Sequence, residues 1–281
     1  MLPRMSLTGL AQETLAIVGR GSYVAPSGKT VDLKAEIDAA IAGTVLYRPG
    51  EFEALVPSPA PVGAGPLRVE VTPETTAEAG RRLVQAEGVA HVAALNFASA
   101  KNPGGGFLGG AKAQEEDLAR CSALYTCQLK QRAYYDANRA SGSMLYTDHL
   151  IYSPDVPFFR DDRLGLLESP FVLSILTSPA PNAGEASRMG RDEGGQVNAV
   201  LEARAATVLA VAAARAHRCL VLGAWGCGVF RNDPRVVAAA FDHWLSHPRF
   251  RGAFDRVVFA VYDRSGKGPN LRAFEERFGG R

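Results

Sequence analysis

The sequence predicts a mainly α/β fold with helices on both faces of a sheet. From about residue 67 onward, apolar runs of strand length alternate with periodic stretches of helical length, and turn-forming residues separate them. The chain has 281 residues, of which 47% are hydrophobic and 21% charged, the profile of a globular protein with a large core. In such folds ligands bind where the carboxyl ends of strands lead into helices.

Apolar runs and helical periodicity define the individual elements. The strand predictions cover 67–71, 91–97, 149–153, 171–177, 219–223 and 256–262. The helix predictions cover 75–87, 114–138, 193–217, 234–246 and 271–278. Within the long helix predicted for 114–138, Leu118, Cys121 and Tyr125 recur at helical spacing. Pro234 stands just inside its helix, after an Asn-Asp pair that supplies the N-cap.

A stretch rich in Pro, Ala and Gly at 57–66 is the best linker candidate, because it cannot hold a regular helix. It divides the chain into an N-terminal extension, 1–66, and a main domain, 67–281. We expect the extension to pack against the main domain. No internal repeats or low-complexity tracts are present.

Charge and cysteine content narrow the class of protein. The net charge of +2, from 31 Lys and Arg against 29 Asp and Glu, argues against a protein that grips nucleic acid along its whole surface. The first 21 residues lack the apolar core of a signal peptide, and no window reaches the roughly 18 apolar residues of a membrane span. We expect a cytoplasmic protein with reduced thiols at Cys121, Cys127, Cys219 and Cys227.

A glycine-rich loop, 102–110, follows the predicted strand 91–97. It begins with Asn102 and contains the triplet Gly104, Gly105 and Gly106. Glycine allows positive φ and close approach of the backbone, so successive N–H groups of this loop can converge on an anion. The Gly-Lys-Ser/Thr of a Walker A loop is missing. By composition alone, a structural turn and a ligand-binding loop are equally good interpretations.

Gln114, Glu115, Glu116 and Asp117 open the next predicted helix. One interpretation is helix capping, because acidic residues in a first turn offset the helix dipole. The other is catalytic. Two adjacent carboxylates diverge by roughly 100° around a helix, so both can face a substrate held by the preceding loop. Glycoside hydrolysis needs a carboxylic acid for the leaving oxygen and a carboxylate that activates water.

A second glycine-rich loop, 223–233, follows the predicted strand 219–223. Its backbone is a candidate for wrapping the other side of a diphosphate, and its aromatic residue for lying against a sugar face. The alternative is a tight strand–helix turn with aromatic residues in the core. The candidate binding residues here are Gly223, Gly226, Cys227, Gly228, Val229 and Phe230.

Together these motifs resemble the poly(ADP-ribose) glycohydrolases. That family is marked by a triple glycine followed, after six to eight residues, by Gln-Glu-Glu, and this chain has seven residues between the triplet 104–106 and Gln114. The second loop resembles the family's diphosphate loop, Gly-x-Trp-Gly-Cys-Gly-x-Phe. The segments LAQETLAIVGRGSY, LNFASAKNPGGG and YSPDVPFFRDD resemble the compact microbial branch, so the resemblance covers nearly the whole chain.

The resemblance implies a macrodomain-like three-layer α/β/α fold with a mixed sheet and an N-terminal helical extension. It also implies that Glu116 is the general acid, which protonates the leaving ribose oxygen and then acts as base on water. Glu115 would position the ribose, supported by Asn102 and Gln114. The glycines 104–106 and the loop 226–230 would enclose the diphosphate, with Phe230 shaping the distal ribose pocket. No metal and no cofactor are implied.

The adenine has weaker candidates. Tyr262, at the end of the last predicted strand, is suited to stack on a base. Glu74 and Thr75, at the start of the first predicted helix, are placed to reach the polar edge of the base. Ordinary packing or helix capping is the competing interpretation for all three residues.

The expected partners are poly(ADP-ribose), ADP-ribose and poly(ADP-ribosyl)ated proteins, with no membrane and no sequence-specific nucleic acid, and the expected state is a monomer. Two rival functions remain at this stage. One is a non-catalytic macrodomain that reads ADP-ribose, which would have no use for an acid beside the scissile bond. The other is a mono(ADP-ribosyl) or O-acetyl-ADP-ribose hydrolase, a class that generally lacks the Gln-Glu-Glu segment.

Overall fold

The computed structural model describes residues 5–55, 65–190, 195–263 and 265–279. Within them, a short antiparallel hairpin is formed by β1 (Ser22–Val24) and β2 (Thr30–Asp32). The central sheet has seven strands in the spatial order β3 (Val45–Tyr47), β6 (Leu150–Arg160), β7 (Leu166–Ser178), β5 (Val92–Phe97), β8 (Cys219–Leu222), β9 (Arg256–Ala260) and β4 (Arg68–Thr72).

The sheet is mixed. Strands β4, β9, β8, β5 and β7 are parallel to one another, whereas β6 is antiparallel to β7 and β3 is antiparallel to β6. Parallel neighbours require crossover connections, and helices supply them here. The consequence for the site is that the carboxyl ends of β5 and β8 lie side by side at one edge of the sheet.

Helices cover both faces of the sheet, and the predicted α/β class is confirmed. One face carries α8 (Gln196–Ala214), α9 (Pro234–Ser246) and α10 (Pro269–Phe278). The other carries α1 (Leu7–Arg20), α2 (Lys34–Gly43), α3 (Thr76–Arg81), α4 (Gln114–Cys121) and α5 (Leu124–Leu129). Along β5 the side chains alternate between these layers, with Leu95 in the first and Ala94 in the second. Two further helices lie in connecting segments: α6 (Arg132–Ser141) between α5 and β6, and α7 (Ala183–Arg188) between β7 and α8.

The single helix predicted over 114–138 is wrong, because the chain forms α4, α5 and α6 there. Ser122 has an extended backbone, with φ −146° and ψ −178°, and forms an isolated β-bridge with Phe158. Its hydroxyl donates to Leu118 O at 2.7 Å and accepts from Leu124 N at 3.2 Å. Tertiary pairing with β6 therefore interrupts a sequence whose apolar spacing is helical throughout.

The N-terminal segment contains strands as well as the expected helices. Strand β3 extends the main sheet at its β6 edge. Helix α1 packs on the first glycine-rich loop, where Ala11 and Phe107 belong to one apolar cluster. Thr14 Oγ1 donates to Arg120 O at 2.7 Å and so ties α1 to α4. The predicted linker, 57–66, falls outside the described residues for positions 57–64, and the division at residue 66 stays a prediction.

Helix α8 is long and apolar enough, by length and composition, to cross a membrane, with a mean hydropathy of 1.5. However, 61% of that window is buried inside the fold, as in the core helix of a globular protein. The helix also buries Arg204, which donates to Asp148 Oδ1 at 2.7 Å and to Pro179 O at 3.0 Å. The four cysteines are free, and three of them are buried.

Candidate active site

Two loops meet at the carboxyl edge of the sheet. The first, 98–113, leaves β5 and enters α4, and the second, 223–233, leaves β8 and enters α9. Because β5 and β8 are hydrogen-bonded neighbours running in the same direction, both loops emerge at the same edge. The fold thus places the two glycine-rich motifs of the sequence beside each other.

Glu115 is a buried carboxylate surrounded by hydrogen-bond donors. Its side chain is 3% exposed. Oε1 accepts from Asn96 Nδ2 at 3.1 Å and from Gln128 Nε2 at 2.8 Å, and Oε2 accepts from Ser99 N at 2.6 Å. Three donors on two oxygens fix the orientation of the carboxylate and favour its ionised form.

Burial opposes these donors and raises the pKa of Glu115 to about 7. The hydrogen bonds from Ser99, Asn96 and Gln128 lower the pKa, whereas the neighbouring charge of Glu116 adds to the increase. A carboxyl group that titrates near neutrality is typical of functional sites. Glu115 therefore differs from an acidic residue that only caps a helix, which would be exposed to solvent.

Glu116 follows Glu115 in the first turn of α4 and is partly buried. Its Oε1 accepts from Gly106 N at 2.9 Å, and no other hydrogen bond to this side chain occurs within the described residues. A β-carbon built on Gly105 would overlap Glu116 Oε1, and it would lie 3.0 Å from Glu116 Cδ and 3.2 Å from Glu115 Oε2. Both carboxylates therefore border the same glycine, and Glu116 keeps one oxygen available for a ligand.

The N–H groups of the glycine triplet bind protein acceptors, which differs from the expectation that they converge on an anion. Gly104 N donates to Gln128 Oε1 at 2.9 Å, and Gly105 N donates to Asn102 O at 3.0 Å. Gly106 N donates to Glu116 Oε1. The triplet thus acts as a template for the carboxylates. Gly104 and Gly105 have φ of 62° and 57°, which explains why glycine is needed there.

Asn102 and Gln114 organise the same loop. The Asn102 backbone closes the turn to Gly105, and its side chain is exposed. Gln114 Oε1 accepts from Phe97 N at 2.8 Å, and its Nε2 donates to Leu95 O at 2.7 Å and Thr76 Oγ1 at 3.0 Å. The Gln114 amide therefore fastens the start of α4 to the end of β5. Contact of either side chain with a ribose stays a prediction.

The second loop presents the free backbone donors that the glycine triplet lacks. Within the described residues, the backbone N–H groups of Gly226, Gly228, Val229 and Phe230 donate to no protein acceptor. Such a group of neighbouring backbone donors is suited to bind an anion. Gly226 has φ of 73°, and a β-carbon there would overlap Asn232 Nδ2 and lie 2.6 Å from Ala180 Cβ.

The other predicted residues of this loop have distinct environments. Gly223 is buried between strands, since a β-carbon would lie 2.5 Å from Ala260 O. The Cys227 thiol is directed to Trp225 O at 3.8 Å. The Val229 side chain is 84% exposed.

Phe230 is partly buried and packs against Tyr146, with ring centroids 5.9 Å apart and an interplanar angle of 43°. Its carbonyl accepts from Gly184 N at 2.9 Å, so the end of the loop is fixed to the start of α7. Tyr146 was not among the sequence-predicted residues, because nothing near it in the sequence forms a recognisable motif.

A cavity of about 330 Å³ lies beside α4 and is bordered by Phe97, Thr75 and Tyr262. Tyr262 is 54% exposed at its rim. Thr75 is the N-cap of α3, accepting from Glu78 N at 3.1 Å, and its own N–H donates to Glu78 Oε2 at 2.7 Å. Glu74 forms a two-pronged ion pair with Arg82, at 2.9 and 2.8 Å. Capping and ion pairing therefore occupy the side chains of Thr75 and Glu74.

The structure adds three polar residues that the sequence analysis missed, Asn96, Ser99 and Gln128. Asn96 and Gln128 are fully buried, and Asn96 Nδ2 also donates to Thr177 Oγ1 at 3.2 Å. A signal for Asn96 was present, because it is an amide within an otherwise apolar strand. In the part of the chain that the structure describes, no group of three or more His, Cys, Asp or Glu residues could hold a metal ion.

Comparisons with known proteins agree with this geometry. A protein-family model, the catalytic domain of microbial-type poly(ADP-ribose) glycohydrolase (PARG), matches residues 11–161. The PARG structure from Thermomonospora curvata is 48% identical, with a TM-score of 0.90 over 98% of this chain and 100% of that chain. The same enzyme bound to the inhibitor ADP-HPD gives 48% identity and a TM-score of 0.89 over the same shares of both chains.

A PARG structure from Deinococcus radiodurans, in complex with ADP-ribose, is 46% identical to this chain. Its TM-score is 0.79, and the match covers 89% of this chain and 98% of that chain. No match was found among curated proteins.

Proposed function

The chain belongs to the microbial-type poly(ADP-ribose) glycohydrolases, which hydrolyse that polymer, and we propose that it cleaves the terminal ribose–ribose bond with Glu116 as general acid. One observation carries this assignment. Glu116 is held by Gly106 N through a single oxygen, while Glu115 beside it is buried and bound by three donors. The two neighbouring carboxylates are therefore suited to different roles.

In this proposal Glu116 donates a proton to the leaving ribose oxygen as the bond to C1″ breaks. The oxocarbenium-like carbon is then attacked by water, whose proton passes to Glu116 and whose oxygen bonds to C1″. Glu115 is fixed in place by three donors from the protein, so it is suited to orient ribose hydroxyls and to place negative charge near the reacting carbon. The bound diphosphate would add further negative charge near C1″.

We assign the diphosphate to the second loop. In the described part of the chain, its neighbouring N–H groups at 226, 228, 229 and 230 donate to no protein acceptor, and one relative was solved with ADP-ribose bound. Phe230, at the end of this loop, is placed to pack against the distal ribose. The cavity beside α4, with Tyr262 at its rim, is the proposed adenine site.

The proposed substrate is the polymer end, whether free or on a poly(ADP-ribosyl)ated protein. The test is a time course with end-labelled and uniformly labelled polymer, separating ADP-ribose from short oligomers. Early release of ADP-ribose without oligomers is expected. Early oligomers would instead show cleavage of internal bonds. Binding of ADP-ribose with no product from polymer would overturn the proposal and favour a non-catalytic reader.

A further inference from the structure

Tyr146 has a backbone conformation that its side chain disfavours. Its φ is 60°, in the left-handed region that glycine or asparagine ordinarily occupies, and for a bulky residue this is a true outlier. Strained residues persist only where the surrounding structure enforces them, and they cluster at functional sites. The conformation of Tyr146 therefore requires a structural or functional reason.

The loop around Tyr146 is fixed on both sides. Before it, Met144 O accepts from Asn182 N at 2.9 Å. After it, Thr147 N and Thr147 Oγ1 donate to Oδ1 of the buried Asn138, at 2.8 and 2.9 Å. Tyr146 N donates to Ser143 O at 3.3 Å and closes the turn. These contacts hold the strained conformation in place.

The same short segment also holds the second loop. Asn182 N binds the Tyr146 loop, and two residues later Gly184 N donates to Phe230 O at 2.9 Å. Arg231, directly after Phe230, is itself at φ 57°. Two strained loops are thus anchored to the start of α7, and the contact between them is the Tyr146–Phe230 ring pair at 5.9 Å.

We propose that Tyr146 is a positioning residue, whose ring holds Phe230 against the distal ribose of the polymer end. The inference rests on the proposed function, because it takes Phe230 as a substrate contact. Tyr146 acts through Phe230 and takes no part in proton transfer. Its phenol hydroxyl is dispensable, since the contact is made by the ring.

The test uses Tyr146→Gly, which removes the ring and relieves the backbone strain. We expect kcat on polymer to fall by about tenfold or more, because small displacements of substrate-contacting groups are costly, while ADP-ribose affinity stays within about threefold. Tyr146→Phe should retain kcat within about twofold. The matched control is His91→Gly, an exposed residue at φ 53° just before β5, at the opposite edge of the sheet, which should leave kcat unchanged.

A double-mutant cycle separates positioning from general support of the fold. If Tyr146 acts through Phe230, Tyr146→Gly adds little to the loss already caused by Phe230→Ala. Additive losses would overturn the inference, as would unchanged kcat in Tyr146→Gly with an active wild-type enzyme. An inactive wild type would instead refute the proposed function. Tyr146→Asn, which tolerates the left-handed conformation, must show the same loss, and it serves if the glycine variant does not fold.

Discussion

Gly105 lies against the carboxylate of Glu116, so closely that the added β-carbon of any other residue would overlap Oε1 and lie 3.0 Å from Cδ. The backbone of Gly105 is also in the left-handed region, at φ 57°. The absence of a side chain at Gly105 is therefore what allows the Glu116 carboxylate to lie against the loop, beside Glu115.

Gly105→Ala should lower kcat on polymer by about a hundredfold, because Glu116 has to move and the loop has to change conformation. The matched control is Gly109→Ala in the same loop, where an added β-carbon meets nothing within 4 Å. The control should keep kcat within about twofold. Comparable kcat values for the two variants would contradict the template role of the triplet.

Gly226→Ala should weaken binding of ADP-ribose by about tenfold or more, because the overlap with Asn232 displaces the free N–H groups of the second loop. Val229→Ala in the same loop should bind normally, since the Val229 side chain is 84% exposed and alanine keeps the backbone N–H that we propose as a donor. Isothermal titration with ADP-ribose measures both. Unchanged affinity in Gly226→Ala would place the diphosphate elsewhere.

Phe230→Ala should reduce turnover of polymer more than it reduces affinity for ADP-ribose, because in the proposed function the ring orients the sugar at the reacting end. Steady-state kinetics with polymer give the turnover, and titration of the same preparation with ADP-ribose gives the affinity. An equal loss in both would indicate that Phe230 serves only to pack against Tyr146 and the adjoining loop.

The raised pKa of Glu115 makes the free energy of unfolding depend on pH in a particular direction. Burial raises its folded-state pKa from 4.5 to about 7, so between these values the folded state binds more protons than the unfolded state. Its contribution to stability is therefore present below pH 4.5 and is lost as the pH rises through about 7. A variant without this carboxyl group should not lose stability in this way as the pH rises.

The measurement is the free energy of unfolding of wild type and of Glu115→Ala, each at about pH 4.5 and about pH 8. The free energy of unfolding of the wild type minus that of Glu115→Ala should be smaller at the higher pH. A difference that grows with pH would mean that the three hydrogen-bond donors outweigh burial and lower the pKa of Glu115.

The sequence predicted much of the fold because local signals and tertiary packing agree. The helix 234–246 was predicted with the bounds that it has, since Asp233 caps it and Pro234 begins it. The prediction of one helix over 114–138 was wrong because the pairing of Ser122 with Phe158 overrides the helical spacing of the apolar residues. Such a long-range pairing leaves no signal near Ser122 in the sequence.

The sequence identified two glycine-rich loops and two adjacent glutamates, which the fold brings to one end of the sheet, whereas the roles of these residues stay predictions. Adjacency and a place after the glycine triplet made Glu115 and Glu116 candidates, and the family resemblance favoured the catalytic interpretation over helix capping. Which loop retains free N–H groups depends on acceptors distant in sequence, such as Gln128, which takes Gly104 N. The local sequence therefore does not indicate that the triplet N–H groups are used within the protein while those of the second loop are free.

Release of ADP-ribose from polymer by Glu116→Ala tests the central claim most directly. The assay uses enzyme in excess over polymer ends, with ADP-ribose binding of the variant measured in parallel. We expect the rate to fall by at least about a hundredfold, as for loss of a general acid, with ADP-ribose affinity within a few fold of wild type. Turnover close to that of wild type in the binding-competent variant would contradict the assignment of Glu116.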